Sequence, residues 1–453
     1  MYLRTWIISF LACWMALSLT AADKPVNVIL ILCDDVGYEC FSSYGSEEYY
    51  TPRLDQLAAE GIRFTNAHST PLCTPSRVNL MTGKSNVFNY FDFGIFPTNE
   101  PTIANHYKQL GYKTAVAGKW QLWAKDKSDG ISPTEAGFDT YCLWNMPLTT
   151  TQRYWDPSLD QNGKLLDLPD GSYGPKVVND FLVDFIKENK DEPFFVYNPL
   201  ILPHSPFPPT PHSISLKEKD EKKNFIDMVQ YVDFVVGRLV DTLEELGLRE
   251  NTLIVFTSDN GTHHKLISEL PNKSVPGGKG WTHDYGTHVP LIVNWPGHVQ
   301  GGQVNEDLIA FSDIYPTIVD ATGVTPKNKT DEDGISFWPQ CTGQDGTKRE
   351  AIYGYYFPRP YAETFDDFYR HWEVRWARDK RYKLYGNGDL YDTLKDVMER
   401  SPIRPENESR AQRTAREKLK QVIAGFPSQG QRIDYQRVNG KMPNVFHRSP
   451  ADQ

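Results

Sequence analysis

Six short stretches carry residues that could do chemistry: Asp34-Asp35, Cys73-Thr74-Pro75-Ser76-Arg77, Lys119, His204, Asp259-Asn260 and Lys279. Asp34, Asp35, Asp259 and Asn260 form an all-oxygen donor set, which suits a hard cation, Ca²⁺ or Mg²⁺, better than zinc. Three carboxylates around a divalent ion leave a net negative shell. Arg77, Lys119, His204 and Lys279 would offset it, and such a pocket fits a dianion-like group beside a metal, a sulfate or a phosphate ester. Cys73 is read at a helix start with Arg77 one turn along, so a bare thiol there is expected to have a lowered pKa and to be reactive. Taken alone, a cysteine and arginine at such a place are better explained by simple burial.

These residues are reached from elements that the sequence announces. Val28–Leu32 and Thr252–Phe256 are continuous apolar runs, as expected for strands covered on both faces. Lys113–Ala117, Pro193–Tyr197 and Pro290–Asn294 read as further strands, and 52–61, 102–110, 175–190, 222–248 and 314–321 as helices. Asp34-Asp35, Lys119, His204 and Asp259-Asn260 each follow a strand, and ligands bind beyond the carboxyl ends of strands in open α/β sheets. Helix and strand alternate from about residue 25 to 325, which predicts a large, mainly parallel, doubly wound sheet. Residues 125–170 show no periodicity and read as loop. After Gly343 the pattern changes to short strands and one helix, 410–424, a smaller α+β domain with an antiparallel sheet. The division expected is 1–22 as signal peptide, 23–342 as catalytic domain and 343–453 as C-terminal subdomain and tail.

Cys73-x-Pro75-Ser76-Arg77 followed by Leu80-x-Thr82-Gly83 resembles the signature of the type I sulfatases. Gly118-Lys119-Trp120, Pro203-His204-x-Pro206, Ser258-Asp259-Asn260-Gly261, Gly278-Lys279-Gly280 and Val289-Pro290 continue the likeness in family order over residues 25–325. The resemblance implies an alkaline-phosphatase-like fold. It implies that a formylglycine-generating enzyme oxidises Cys73 to formylglycine, whose hydrate is the nucleophile. Asp34, Asp35, Asp259 and Asn260 would hold the cation, with residue 73 completing its shell. Arg77 would orient and activate the formylglycine. Lys119, His204 and Lys279 would bind the sulfate, and His204, with an unperturbed pKa near neutral, would protonate the leaving alcohol.

Two places depart from the family pattern. Gln121 stands where the family usually has a histidine that takes the proton when the sulfo-enzyme collapses; an amide can hydrogen-bond but cannot act as a base. After Lys279 the family's Glu-Gly-Gly-x-Arg is replaced by Asp284-Tyr285-Gly286-Thr287-His288, so His283, Asp284 and His288 are candidates for substrate contact or for holding the loop.

The 453-residue chain carries a net charge of −10 and no basic block, so a nucleic-acid partner is not expected. Arg4, the apolar run Trp6–Leu19 and small residues to Ala22 read as a secretory signal, giving an exported, periplasmic or extracellular protein with no membrane span after cleavage. Cys33, Cys40, Cys142 and Cys341 follow no disulfide scaffold; one bridge or four buried thiols both fit. Export and the aromatic, Arg-containing stretch 353–376 suit a sulfated carbohydrate as substrate, by ring stacking and ion pairing. The same aromatics also suit the core of the small domain. The rivals are a phosphate or phosphonate ester hydrolase on the same scaffold, and a sulfated-glycan binding protein with a decayed site.

Overall fold

A computed structural model describes residues 25–90, 93–97, 100–124, 129–144, 152–323, 333–357 and 373–427. The expected signal segment 1–22 and the tail beyond 427 lie outside the described residues.

Ten strands form one sheet, in the spatial order Gln303–Ala310, Ile62–His68, His288–Asn294, Thr252–Ser258, Asn27–Cys33, Phe194–Pro199, Lys113–Lys119, Thr140–Trp144, Leu159–Gln161, Lys164–Leu165. The five strands from Thr252–Ser258 to Thr140–Trp144 run parallel, and antiparallel pairs extend both sides. The central strand Asn27–Cys33 is buried along its whole length. Its alternate residues feed opposite faces: Ile29 and Ile31 pack with helices Pro52–Ala59, Gly174–Glu188 and Glu221–Glu245, while Val28, Leu30 and Leu32 pack with Cys73–Thr82, Ile103–Gln109 and Ile314–Ala321. The continuous apolar runs are therefore two-faced strands between two helix layers.

The stretch read as loop between 125 and 170 in fact supplies three strands of the sheet edge. Thr140–Trp144 is only five residues long and shows no alternation to reveal it, because it too is covered on both faces. Past residue 343, strands Ile352–Tyr356, Val374–Arg378, Tyr382–Tyr385 and Leu390–Asp392 make a four-stranded antiparallel sheet. Helix Arg410–Ala424 lays Ala415 and Leu419 on Ala377, Leu384 and Leu390. Tyr355, Tyr356 and Trp376 are buried there, which corrects their candidacy as a sugar platform; 358–372 lie outside the described residues. Among the described residues all five cysteines are free and buried.

The strand end before Lys119 depends on a missing side chain. Gly118 has φ +130°, and a Cβ built on it would lie 1.8 Å from the Pro199 carbonyl oxygen of the neighbouring strand. Gly118→Ala is expected to cost more than ~3 kcal/mol, from backbone strain and forced separation of the strands. Gly111→Ala, at φ +86° with nothing within 4 Å, is expected to cost about 1–2 kcal/mol. Urea-unfolding midpoints of the two variants check the difference, and equal midpoints would refute the close approach as its cause.

Candidate active site

Helix Cys73–Thr82 begins with Cys73 in its first turn and ends at Gly83, whose φ of +67° supplies the left-handed C-cap. All ten residues are buried, because the helix runs under the carboxyl ends of the parallel strands. Ser76 Oγ donates to the Asp259 carbonyl, which ties the helix to the Thr252–Ser258 strand end. Arg77, fully buried, donates from Nη1 to the Lys119 carbonyl at 2.7 Å and from Nη2 to Asp259 Oδ2 at 2.8 Å; Asp34 Oδ1 lies 3.6 Å away. Arg77 is thus the clamp that joins three strand ends, one helical turn below Cys73.

The carboxylates converge as the spacing predicts. Lys119 Nζ donates to both Asp34 oxygens, at 2.7 and 2.9 Å. Asp35 sits at φ +68°, a strained left-handed backbone for a non-glycine residue, with its N–H donating to Asp259 Oδ1 at 3.1 Å. Asn260 Nδ2 donates to Asp35 Oδ1 at 2.9 Å, and Lys279 Nζ donates to Asp35 Oδ2. Atoms of Asp34, Cys73 and Asp259 fall within 4.8 Å of one another, as do those of Asp34, Asp35 and His204.

The electrostatics of this cluster point to a cation. Burial alone would raise the Asp34 carboxyl, but Lys119, then His204, Arg77 and Lys279 hold it well below the usual range. Asp35 is likewise raised by burial and lowered on balance by His204 and Lys279. Asp259 is pushed up to about 7, by burial and then by the charge on Asp34, against Arg77 and Lys119. A carboxylate so destabilised beside two others, and a buried Asn260 Oδ1 that accepts no hydrogen bond, are what an oxygen-coordinated cation would satisfy. The residues present therefore fit a divalent metal.

Two expectations about proton chemistry are corrected. The Cys73 thiol is raised, not lowered: burial dominates, Lys119 and Lys279 lower it, and Asp259 and Asp34 raise it again. The helix-end field does not overcome loss of water, so the unmodified thiol is a poor nucleophile. His204 is held neutral, its pKa lowered to about 3 by burial first, with Asp35 opposing and Lys279 adding to the fall. Its Nδ1–H donates to the Ser205 carbonyl at 2.6 Å, which leaves the Nε2 lone pair to accept from Lys279 Nζ at 3.0 Å. Reading His204 as a near-neutral acid used its value in water; in the fold the cationic partner of this pair is Lys279.

Cys73, Lys119, Gln121, His204 and Lys279 share one cleft of about 360 Å³. Gln121 enters it at φ +52°, with a buried Oε1 that has no hydrogen-bond partner. His283, Asp284 and His288 do not line this cleft, which corrects their candidacy for substrate contact. Asp284 pairs with Arg378 of the small sheet, His288 Nε2 donates to the Thr65 carbonyl at 2.8 Å while its ring stacks on Tyr38, and His283 packs between Trp281 and Tyr285. They hold the loop that presents Lys279. Missed by sequence reasoning were Trp144 and Arg153, in the stretch without periodicity, and His263 and His264 on the cleft wall. The run Thr262-His263-His264-Lys265, next to the Asp259-Asn260 turn, was the one signal that pointed to the last two.

The fold and the strand-end cluster define a class: a doubly wound sheet bearing an oxygen-rich cluster that fits a cation, two lysines and a helix-start cysteine. The chain belongs to the sulfatase family, whose model matches residues 26–324. The model of the C-terminal region of N-sulphoglucosamine sulphohydrolase matches residues 278–425. Human arylsulfatase A is 30% identical, over 74% of this chain and 71% of its own length. Human N-acetylgalactosamine-6-sulfatase is 28% identical, over 71% of this chain and 66% of its own length. The chain thus spans about two thirds of the length of these curated relatives. The solved structure of BT4656 with its substrate, D-glucosamine-2-N,6-O-disulfate, superposes with a TM-score of 0.73 at 20% identity, covering 90% of this chain and all of that one. Among the described residues no helix is long and apolar enough to cross a membrane.

Proposed function

We propose that this chain is an exported sulfatase that hydrolyses sulfate monoesters on a carbohydrate, using a formylglycine made from Cys73 by a formylglycine-generating enzyme and a divalent cation, Ca²⁺ before Mg²⁺. The observation that carries the reading is the convergence of Cys73, Lys119, His204 and Lys279 on one cleft, with Lys119 donating to Asp34, Lys279 to Asp35, and atoms of Cys73, Asp34 and Asp259 within 4.8 Å of one another. In this reading residues 1–22 are removed on export, 23–342 form the catalytic domain and 343–453 the accessory part. Named relatives act on sulfate esters, and a structural neighbour is named with a sulfated sugar as its substrate.

A cation held by the three aspartates and Asn260 supplies Lewis-acid polarisation, and an aldehyde hydrate at position 73 supplies an oxygen nucleophile. The other residues prepare the site. Arg77 fixes Asp259 and the Lys119 strand end, so both stay in place as charge develops. Lys119 and Lys279 present ammonium donors to the sulfuryl oxygens. The leaving oxygen takes its proton from the Lys279–His204 pair, where Nζ already donates to Nε2. Gln121 Oε1 accepts a hydrogen bond from the nucleophile's second hydroxyl without taking its proton.

Mass spectrometry of the Cys73 peptide is expected to show a loss of about 18 mass units against cysteine. The same preparation is expected to release sulfate from sulfated sugars, to lose that activity to a chelator and to regain it with Ca²⁺. A fully converted enzyme that frees no sulfate from any sulfated sugar would overturn the proposal, and two zinc ions per chain would favour the phosphoryl rival.

A further inference from the structure

We propose that Arg153 is a specificity-determining residue that reads a second oxyanion on the substrate, a carboxylate or a further sulfate borne by the sugar beyond the scissile ester. The inference deepens the carbohydrate reading and rests on it.

Arg153 is held from both sides. Its guanidinium carbon lies 3.9 Å from the Trp144 ring centroid, and Trp144 is itself buried, its indole N–H donating to the Gln152 carbonyl at 3.0 Å. On the other side the Tyr154 hydroxyl contacts the Ile201 carbonyl at 3.1 Å and the His204 carbonyl. The fork is therefore pre-positioned on the cleft wall, so little side-chain freedom is lost when it binds.

Stacking on Trp144 engages only the face of the guanidinium. In its plane, Nε and Nη1 are buried with no hydrogen-bond partner among the described residues, and the one side-chain hydrogen bond is with the Tyr154 hydroxyl. Buried donors left unmet oppose folding, and a purely structural arginine would have its fork answered. The other two cationic side chains of the wall are already answered: Lys119 by Asp34, Lys279 by Asp35. Among the described residues Arg153 has no carboxylate partner, only a hydrogen bond with the neutral Tyr154 hydroxyl, and the wall contains no carboxylate. The scissile sulfate engages the lysines at the cation site, so the Arg153 charge is left for a different group. The guanidinium charge, held on the wall with no acid beside it, matches the charge of a carboxylate or sulfate. A cleft of about 360 Å³ holds far more than one sulfate group, so a sugar ring can bridge the two positions.

The test compares three substrates: a neutral sugar monosulfate, the same sugar with a second sulfate, and the same sulfated sugar linked to a uronic acid. In wild type, kcat/KM is expected to favour at least one of the doubly anionic substrates. Arg153→Ala is expected to lower that preference roughly 10–100-fold, mainly through KM, and Arg153→Lys to restore part of it, since it keeps the charge and loses the fork. Whichever substrate shows the loss names the anion. An unchanged preference in both variants, or an equal loss on all three substrates, overturns the proposal; the lysine variant decides if the alanine variant does not fold. If wild type turns over none of the three, the carbohydrate reading fails separately. Calorimetric titration of the same sugars into Cys73→Ala protein then still reads Arg153: tighter binding of a doubly anionic sugar that is lost with Arg153→Lys supports the proposal, and binding blind to the second anion overturns it.

Discussion

Cys73→Ala is expected to lower sulfate release by at least about 10⁴-fold while leaving the fold in place, because it removes the thiol whose oxidation the proposed formylglycine requires. The change is local. Residue 73 opens a helix whose other anchors, Ser76 on the Asp259 carbonyl and Arg77 on Lys119 and Asp259, do not pass through its side chain. Alanine is the best helix former and fills nearly the same buried space. The chelator response distinguishes this role from a structural one, since a folded variant still binds the cation through its aspartates. A second readout bears on the nature of the nucleophile. With the thiol raised by burial, unconverted wild type is expected to resist alkylation at neutral pH. Rapid iodoacetamide modification of Cys73 at neutral pH, or more than a hundredth of wild-type turnover in the alanine variant, would refute the assignment.

Arg77→Met is expected to cost about 3–5 kcal/mol, the penalty for breaking a buried ion pair from one side. The guanidinium and the Asp34 and Asp259 carboxyls have no measurable exposure, so no water replaces the lost donors. Methionine keeps the volume and removes the charge, which isolates the electrostatic part. Arg77→Lys keeps the charge but cannot reach the Lys119 carbonyl and Asp259 together, so its loss is expected to fall in between. Both are read from urea midpoints without added metal. A methionine variant within ~1 kcal/mol of wild type would show that Arg77 does not hold the strand ends together.

What was legible in the sequence followed from how local each signal was. The apolar runs at 28–32 and 252–256 announced strands buried on two faces, and the polar residues ending them announced the site. The Cys73–Gly83 spelling announced the helix and its C-cap within eleven consecutive positions. What failed needed distance. Arg153 lies in a stretch where neither helix nor strand period shows, and its importance comes from Trp144 behind it and the cleft before it. The partner of Asp284 is Arg378, 94 residues away, so the sequence could not separate substrate contact from loop support. The thiol of Cys73 and the ring of His204 were misread for one reason: helix ends and reference values are visible in a sequence, while desolvation by the assembled fold is not.

The loop carrying Lys279 is held down by the small sheet: Tyr356 donates to the Gly280 carbonyl, Lys383 to the Thr282 carbonyl, Tyr385 meets Thr282, and Arg378 pairs with Asp284. The two family models overlap from residue 278 to 324, a span that begins with this loop. The border between the large and small parts is thus no seam along which relatives can be recombined. A chimaera that borrowed its last hundred residues from a cousin would inherit that cousin's hold on the loop carrying Lys279.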